Sequence, residues 1–318
     1  MPRSLGQTGA LRKPHPVITL PCPMDVETLD RCDLCGRRQV DVLDRANNIC
    51  ACANCGYVFD NPRPTAAAIT EFYSRPTKYD AWVDAQAARD ALWQRRVRKL
   101  APTRKPGSLL DVGAGIGQFL HHARGAYTEV HGTEVSRRAI EIAQERYGLT
   151  LSEGQIESID LDDRRFDNIT LFHVLEHVPH PRTVIERCLS LLTPGGILAI
   201  AVPNDLLTLR GKRDKLAGLV ARLRAGATAP VRTPGLARIT LDGSMDEIHL
   251  SHFTPIVLQR FLESCGLEVL ENDLDPFYVA AGATKAKEDV VYTGCRLIRA
   301  ATGVNVYETI WITARAPA

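Results

Sequence analysis

From Ser108 onward, short apolar runs and amphipathic stretches take turns along the chain. Ser108-Leu-Leu-Asp-Val reads as a buried strand, followed by Gly113-Ala-Gly-Ile-Gly117 and a helix from about Gln118. A second strand is predicted over Thr128–Glu134, then a helix over Ser136–Tyr147 with Ser136 as its N-cap. Leu149–Ser152 reads as a third strand, Phe166–Phe172 as a fourth, Pro181–Leu192 as a helix and Gly196–Val202 as a fifth strand. A sixth strand is expected over Leu267–Asp273, a helix over Glu288–Thr302 and a last strand over Asn305–Ala314. Strands that alternate with helices in this way imply an α/β fold, a parallel sheet covered by helices on both faces.

Ahead of this region the pattern is weaker. A short helix is predicted near Thr65–Tyr73 and a longer one over Asp80–Leu100, where Trp82, Leu92, Trp93 and Val97 stand among Arg and Ala residues. Such a stripe is either a packed helix face or the cap of a pocket. Pro102–Gly107 reads as the linker into the alternating region.

Cysteine usage changes the picture of the N-terminal part. Six of the nine cysteines lie between Cys22 and Cys55. Cys32-Asp-Leu-Cys35 and Cys52-Ala-Asn-Cys55 are separated by sixteen residues, the spacing of a tetrathiolate zinc site. A glycine follows each pair, at Gly36 and Gly56, where the backbone must turn back under the thiolates. Four thiolates fill a tetrahedral ion, so the expected Zn2+ is structural, with Cys32, Cys35, Cys52 and Cys55 as ligands. The first twenty residues hold three prolines and no apolar block, unlike a signal peptide, and no apolar run approaches the length of a membrane span. The expectation is a cytoplasmic protein without stable membrane insertion. A net charge of +2 gives no bulk attraction for nucleic acid.

The glycine loop lets the chain pass close under a ligand and presents helix-start amides to it. Glu134 ends the second strand, where a carboxylate can accept from ribose hydroxyls. Dinucleotide loops run G-x-G-x-x-G, whereas this one is G-x-G-x-G, and Asp111 just before it would repel a pyrophosphate but welcome an ammonium. Leu110-Asp-Val-Gly-Ala-Gly-Ile-Gly-Gln-Phe, His131-Gly-Thr-Glu-Val, the Phe166–Val178 segment and Leu192-Thr-Pro-Gly-Gly-Ile-Leu together resemble the ordered motifs of class I S-adenosylmethionine (SAM)-dependent methyltransferases. Within them the chain is similar to small-molecule O-methyltransferases of the ubiquinone-biosynthesis type. The cysteine pairs followed by Asn61-Pro-Arg-Pro resemble the N-terminal module of bacterial deoxysugar methyltransferases.

The resemblance implies a Rossmann-like seven-stranded sheet, ordered 3-2-1-4-5-7-6 with the last strand antiparallel, and a small N-terminal zinc ribbon. It implies SAM held by Asp111, Gly113, Gly115, Gly117, Glu134, Gln155, Ile156 and His173. The expected organisation is a flexible tail over 1–29, the ribbon over 30–62, a helical cap and linker over 63–106, and the methyltransferase domain over 107–318. A basic insertion over 204–248 carries Arg210, Lys212, Arg213, Lys215, Arg222, Arg224, Arg232 and Arg238. It reads as a lid with a solvated face, a grip for an anionic acceptor, or a membrane-surface patch.

Methyl transfer to a hydroxyl gains from a general base, worth about 10²–10⁴ in rate. His249 and His252, before the helix that Thr254-Pro255 opens, and His177, beyond the fourth strand, are the expected candidates, with His180 nearby. His173-Val-Leu-Glu176-His177 also fits H-x-x-E-H, yet that zinc-protease motif belongs inside a helix and needs a further ligand. The expected activity is O-methylation of a small acceptor in specialised-metabolite or surface-saccharide biosynthesis, with a homodimer allowed. Two rivals are an RNA methyltransferase that grips RNA through the ribbon and a SAM-fold binding protein without turnover. Against the first stands the lack of a basic surface interleaved with aromatics.

Overall fold

The structure is a computed structural model that describes residues 25–75, 79, 83, 86–208, 236–240, 244, 245, 247–276 and 282–318. Most of the expected basic insertion, including Arg210, Lys212 and Arg213, lies outside the described residues, as do Trp82 and most of the N-terminal tail.

The N-terminal part carries β1 (Val26–Glu27), β2 (Val40–Asp44), β3 (Ile49–Cys52), β4 (Val58–Asp60) and β5 (Arg63–Pro64), then α1 (Ala66–Tyr73) and α2 (Gln86–Leu100). Thr65 caps α1, its hydroxyl accepting from the Ala68 amide at 3.3 Å. The alternating region follows with β6 (Ser108–Val112), α3 (Gln118–Ala123), β7 (Glu129–Glu134), α4 (Arg137–Tyr147), β8 (Ser152–Glu153), β9 (Phe166–Phe172), α5 (Pro181–Leu191) and β10 (Leu192–Pro203). The chain closes with β11 (Ser251–His252), α6 (Pro255–Ser264), β12 (Glu268–Leu274), α7 (Gly282–Thr302) and β13 (Thr309–Arg315).

Seven strands form one sheet in the order β12-β13-β10-β9-β6-β7-β8. Counting the sheet's own strands, that is 3-2-1-4-5-7-6 read from the β8 edge, and β13 runs antiparallel to both neighbours. The fold is the expected α/β architecture. Buried Leu, Ile and Val of β6, β9 and β10 pack beneath α5 and α6 on one face. Phe119, Phe172, Trp93 and Trp311 fill the other, under α2 and α3.

Several boundaries differ from the sequence reading. β8 spans two residues, Ser152–Glu153, because Leu149 and Leu151 turn into the core against α3 and α4 rather than continue a ladder. β13 begins at Thr309 because Asn305 folds the preceding residues into a turn, its Oδ1 accepting from the Tyr307 amide at 2.9 Å. α7 starts six residues earlier than Glu288, at Gly282, through an exposed Ala- and Lys-containing turn with no apolar period to mark it.

A connection between distant segments is absent from any sequence pattern. β11 pairs with β4, making the cysteine module a four-stranded sheet in the order β11-β4-β3-β2. The segment from Glu247 to His252 therefore runs between the module and the carboxyl end of β9, and Tyr57 and Ser251 hydroxyls meet there at 2.6 Å.

Candidate functional site

A cavity of about 290 Å³ opens at the carboxyl ends of β6, β7 and β9, where parallel α/β sheets bind ligands. The size stands near the lower end of small-molecule sites, roughly 300–1,000 Å³. Asp111, Gly113, Gly115, Glu134, Gln155, Ile156 and His173 all line it. Gly117 does not. It opens α3 at φ +77°, and a side chain there would strike Leu149 and Ala143, so its role is helix–sheet packing.

Asp111 is buried at one end of the cavity and accepts from the Thr170 hydroxyl at 2.6 Å. Burial pushes its carboxyl up to about 7. Gly113 sits at φ +68°, and a Cβ there would come within 2.6 Å of Val174. Glu134 ties the loop to the second strand. Its Oε2 accepts from the Gly115 amide at 2.8 Å, and its Oε1 accepts from the Val135 and Ser136 amides at 2.9 Å each. Tyr79, also in the cavity wall, hydrogen-bonds Glu134 with its hydroxyl. Gln155 donates its amide to the Thr70 hydroxyl at 2.7 Å and the Ala66 carbonyl at 3.3 Å, which holds α1 over the cavity.

α1, α2 and the residues after β9 build the rest of the wall. Ile69, Thr70, Tyr73, Arg89, Trp93, His177, Val178, Pro179 and Glu247 complete the wall there. Arg89 is buried, and desolvation lowers its guanidinium to about 10, so it stays a cation at neutral pH. His173 stands at φ +59° with both nitrogens engaged, Nε2 against the Arg96 guanidinium at 3.0 Å and Nδ1 against Glu176 Oε1 at 3.2 Å. Burial and the Arg96 charge hold its pKa well below the usual imidazole range. A guanidinium only donates, so His173 Nε2 accepts and Nδ1–H donates.

The three expected base candidates fall in three different environments. His177 lines the cavity. Its Nδ1 lies 2.5 Å from the Ile248 carbonyl and 2.8 Å from the Tyr73 hydroxyl. A carbonyl only accepts, so Nδ1 carries a proton. His249 stands behind it, ring centroids 5.1 Å apart, with Nδ1 at 3.3 Å from Asp205 Oδ2, and is not part of the wall. His252 is 4% exposed and lies between two carboxylates, Nδ1 at 3.0 Å from Asp205 and Nε2 at 3.0 Å from Asp60. Both its nitrogens must donate, which leaves no lone pair for an acceptor's proton. His180 turns to Asp33, at 3.1 Å, and to Arg63. Glu176 Oε1 lies 3.7 Å from His177 Nε2, and burial pushes this carboxyl up to about 8.

The four expected thiolates converge. Their sulfurs all lie within 4.8 Å of one another, with Cys32 and Cys55 at 3.6 Å and Cys35 and Cys52 at 3.5 Å. A tetrahedral zinc with Zn–S bonds near 2.3 Å sets sulfur–sulfur edges of about 3.8 Å, so the donor set fits that ion. Gly36 and Gly56, at φ +70° and +77°, close the two knuckles by donating to the Cys32 and Cys52 carbonyls. Cys50 points elsewhere, to the Asn61 carbonyl at 3.7 Å.

Tyr73, Tyr79 and Arg89 escaped the sequence reading. Each lines the cavity from a segment without a motif, and only the fold brings Tyr73 to His177, 104 residues away. No helix among the described residues is long and apolar enough to cross a membrane.

A model of the methyltransferase-domain family matches residues 85–272, more than half of the chain, and the protein belongs to that family. SAM is the cofactor of the class its motifs resemble. Among curated proteins, the ubiquinone biosynthesis O-methyltransferase of Coxiella burnetii is 34% identical over 107 residues, covering 32% of this chain and 46% of that one. The enzyme of the same name from Methylococcus capsulatus is 30% identical over 148 residues, covering 43% and 62%. The chain thus spans about half the length of the curated relatives it matches. Among solved structures, SAM-bound CalS10, an amino pentose methyltransferase from Micromonospora echinaspora, is 26% identical over 38% of this chain and 54% of that chain, with a TM-score of 0.31. Magnesium protoporphyrin IX methyltransferase from Synechocystis covers 77% of this chain and 91% of its own at 14% identity and a TM-score of 0.43.

Proposed function

We propose that the protein transfers a methyl group from SAM to a hydroxyl of a small molecule. One observation carries the reading: the same cavity is lined by a buried carboxylate at the glycine loop, Asp111, and by an imidazole, His177, whose Nδ1 is engaged by the Ile248 carbonyl. When bound, SAM supplies an electrophilic methyl group and a neutral thioether as leaving group.

Asp111 pairs with the ammonium of the methionine part, and Arg89, the described cationic side chain in the wall, with its carboxylate. Glu134 has about four acceptor positions, of which three already serve backbone amides. A ribose hydroxyl takes over the one that Tyr79 uses. Gln155 keeps its carbonyl oxygen for the adenine amine, and Ile156 packs on the adenine ring. On the acceptor side, Tyr73 and the Ile248 carbonyl hold the His177 ring, and His177 Nε2 takes the hydroxyl proton as the oxygen attacks. The apolar wall of Ile69, Trp93, Val178 and Pro179 excludes water and aligns the acceptor. Alignment of this kind supplies roughly 7–11 kcal/mol of such a barrier. The cysteine module holds one structural Zn2+ on Cys32, Cys35, Cys52 and Cys55.

Isotopically labelled SAM incubated with small phenolic and saccharide acceptors, followed by mass spectrometry, tests the reading. The expected product carries the label on an oxygen. Label found in RNA and in no small molecule would overturn it.

A further inference from the structure

The cysteine module touches the cavity wall through a chain of side chains that the reaction itself does not use. Asp60, 2% exposed, ends β4. It meets His252 Nε2 at 3.0 Å, and His252 Nδ1 meets Asp205 Oδ2 at 3.0 Å. The same Asp205 oxygen meets His249 Nδ1 at 3.3 Å, and the His249 ring packs edge-on against His177. Asp205 follows β10, and all three histidine contacts bear on one segment, since Ile248, His249 and His252 lie within five residues. That segment supplies the carbonyl that orients His177.

We propose that Asp205 is a positioning residue: by accepting from His249 and His252 together, it pins the 248–252 segment so that the Ile248 carbonyl fixes the His177 ring through its Nδ1–H. The proposal rests on the reading of His177 as the base. The charges support it. Asp60 and Asp205 contribute two negative charges and a doubly donating His252 one positive, which leaves one negative charge beside His249. His249 also faces Glu176, His177 and His173, and Asp60 faces Arg63. Asp205 is held well below the usual carboxylate range by hydrogen bonds from the two imidazoles, so it stays ionised. Asparagine at this position keeps the size but loses the charge and offers a single carbonyl oxygen to two imidazoles.

The test uses the full chain with ring-¹⁵N-labelled histidine and needs no acceptor. Nitrogen spectra from pH 5 to 10 report the protonation and tautomer of each ring, assigned with single His→Gln variants, and calorimetry reports SAM affinity in the same samples. In the unaltered protein, His252 is expected to keep both nitrogens protonated past pH 8, and His177 to show the Nδ1–H form above its midpoint. Asp205→Asn should lower the midpoints of His249 and His252 by one pH unit or more, a tenfold change in proton affinity, and mix the His177 tautomers. Asp205→Glu should restore the single His177 form, and SAM affinity should change less than twofold throughout. An Asp205→Asn protein whose His249 and His177 signals match the parent overturns the proposal. The base assignment fails separately, if His177→Gln keeps its turnover, because the ring spectra do not depend on turnover.

Discussion

The buried carboxylate at the glycine loop makes SAM affinity depend on pH in a calculable way. Asp111 stands near 7 in the free protein because burial disfavours its ionised form. Its proposed partner is an ammonium, so it must be ionised to bind. Below its own midpoint, binding therefore has to expel a proton, and affinity falls by up to tenfold for each pH unit, about 1.4 kcal/mol. Between pH 8 and pH 6 the ionised fraction drops by about tenfold if the midpoint is 7. The SAM amino group loses its proton above the usual α-amino range of about 8, which weakens binding on the alkaline side. The account thus predicts a bell with its maximum between about 7 and 8. Isothermal titration of SAM in two buffers of different ionisation enthalpy gives both affinity and proton release. At pH 6 the protein should release close to one proton per SAM bound, and Asp111→Asn should bind more weakly, with the acid limb gone. An unaltered protein whose affinity is flat from pH 6 to 8, or an Asp111→Asn protein that keeps the acid limb, would refute the pairing of Asp111 with the ammonium.

Other consequences follow from the same contacts. Glu134→Ala should weaken SAM binding by about 1–3 kcal/mol by calorimetry, the usual cost of an unpaired polar group. Because Glu134 also orders the Gly115 amide, part of that loss should appear as loop mobility in hydrogen exchange. Elemental analysis should find one zinc per chain, and Cys32→Ser or Cys55→Ser should lose it and unfold the module; a zinc-free native protein with the module fully folded would contradict the tetrathiolate assignment. His252 is raised from 6.5 to about 9 by its two carboxylates, against the opposing effect of burial. Its contribution, about 3 kcal/mol at roughly 1.4 kcal/mol per unit, is complete below 6.5 and lost as pH rises through 9. Melting temperatures at pH 6.5 and 9.5 should show that loss, and His252→Gln should flatten it. A parent protein equally stable at both values would mean that His252 is not held as a cation.

Much of the architecture was legible because it follows from local patterning. The apolar runs of β6, β9 and β10 and the glycine loop set the parallel sheet, and Ser136 and Thr254 cap α4 and α6 where the sequence places them. The cavity wall at the glycine loop was legible for the same reason, since Asp111, Gly113, Gly115 and Glu134 sit at fixed offsets from strand ends. The rest of the wall was not. His249 and His252 stand close together just before a capped helix, yet Asp60 and Asp205 take up His252, and His249 packs behind His177. Both carboxylates come from segments far away in sequence, one of them in the cysteine module, so no periodicity or spacing announces them. Arg89 and Tyr73 are hidden likewise: an Arg in a helix with several others and a Tyr at a helix end carry no signal until α1 and α2 close over the sheet.

The central claim is that SAM and a small hydroxylic acceptor meet in this cavity, with His177 taking the acceptor's proton. The rate of label transfer from SAM, measured for the parent and for His177→Gln with SAM affinity determined on the same samples, tests it most directly. The account predicts that turnover falls by about 10²–10⁴ while SAM affinity stays within about twofold, the pattern of a lost general base. Undiminished transfer by His177→Gln, or a protein that binds NADH more tightly than SAM, would contradict it.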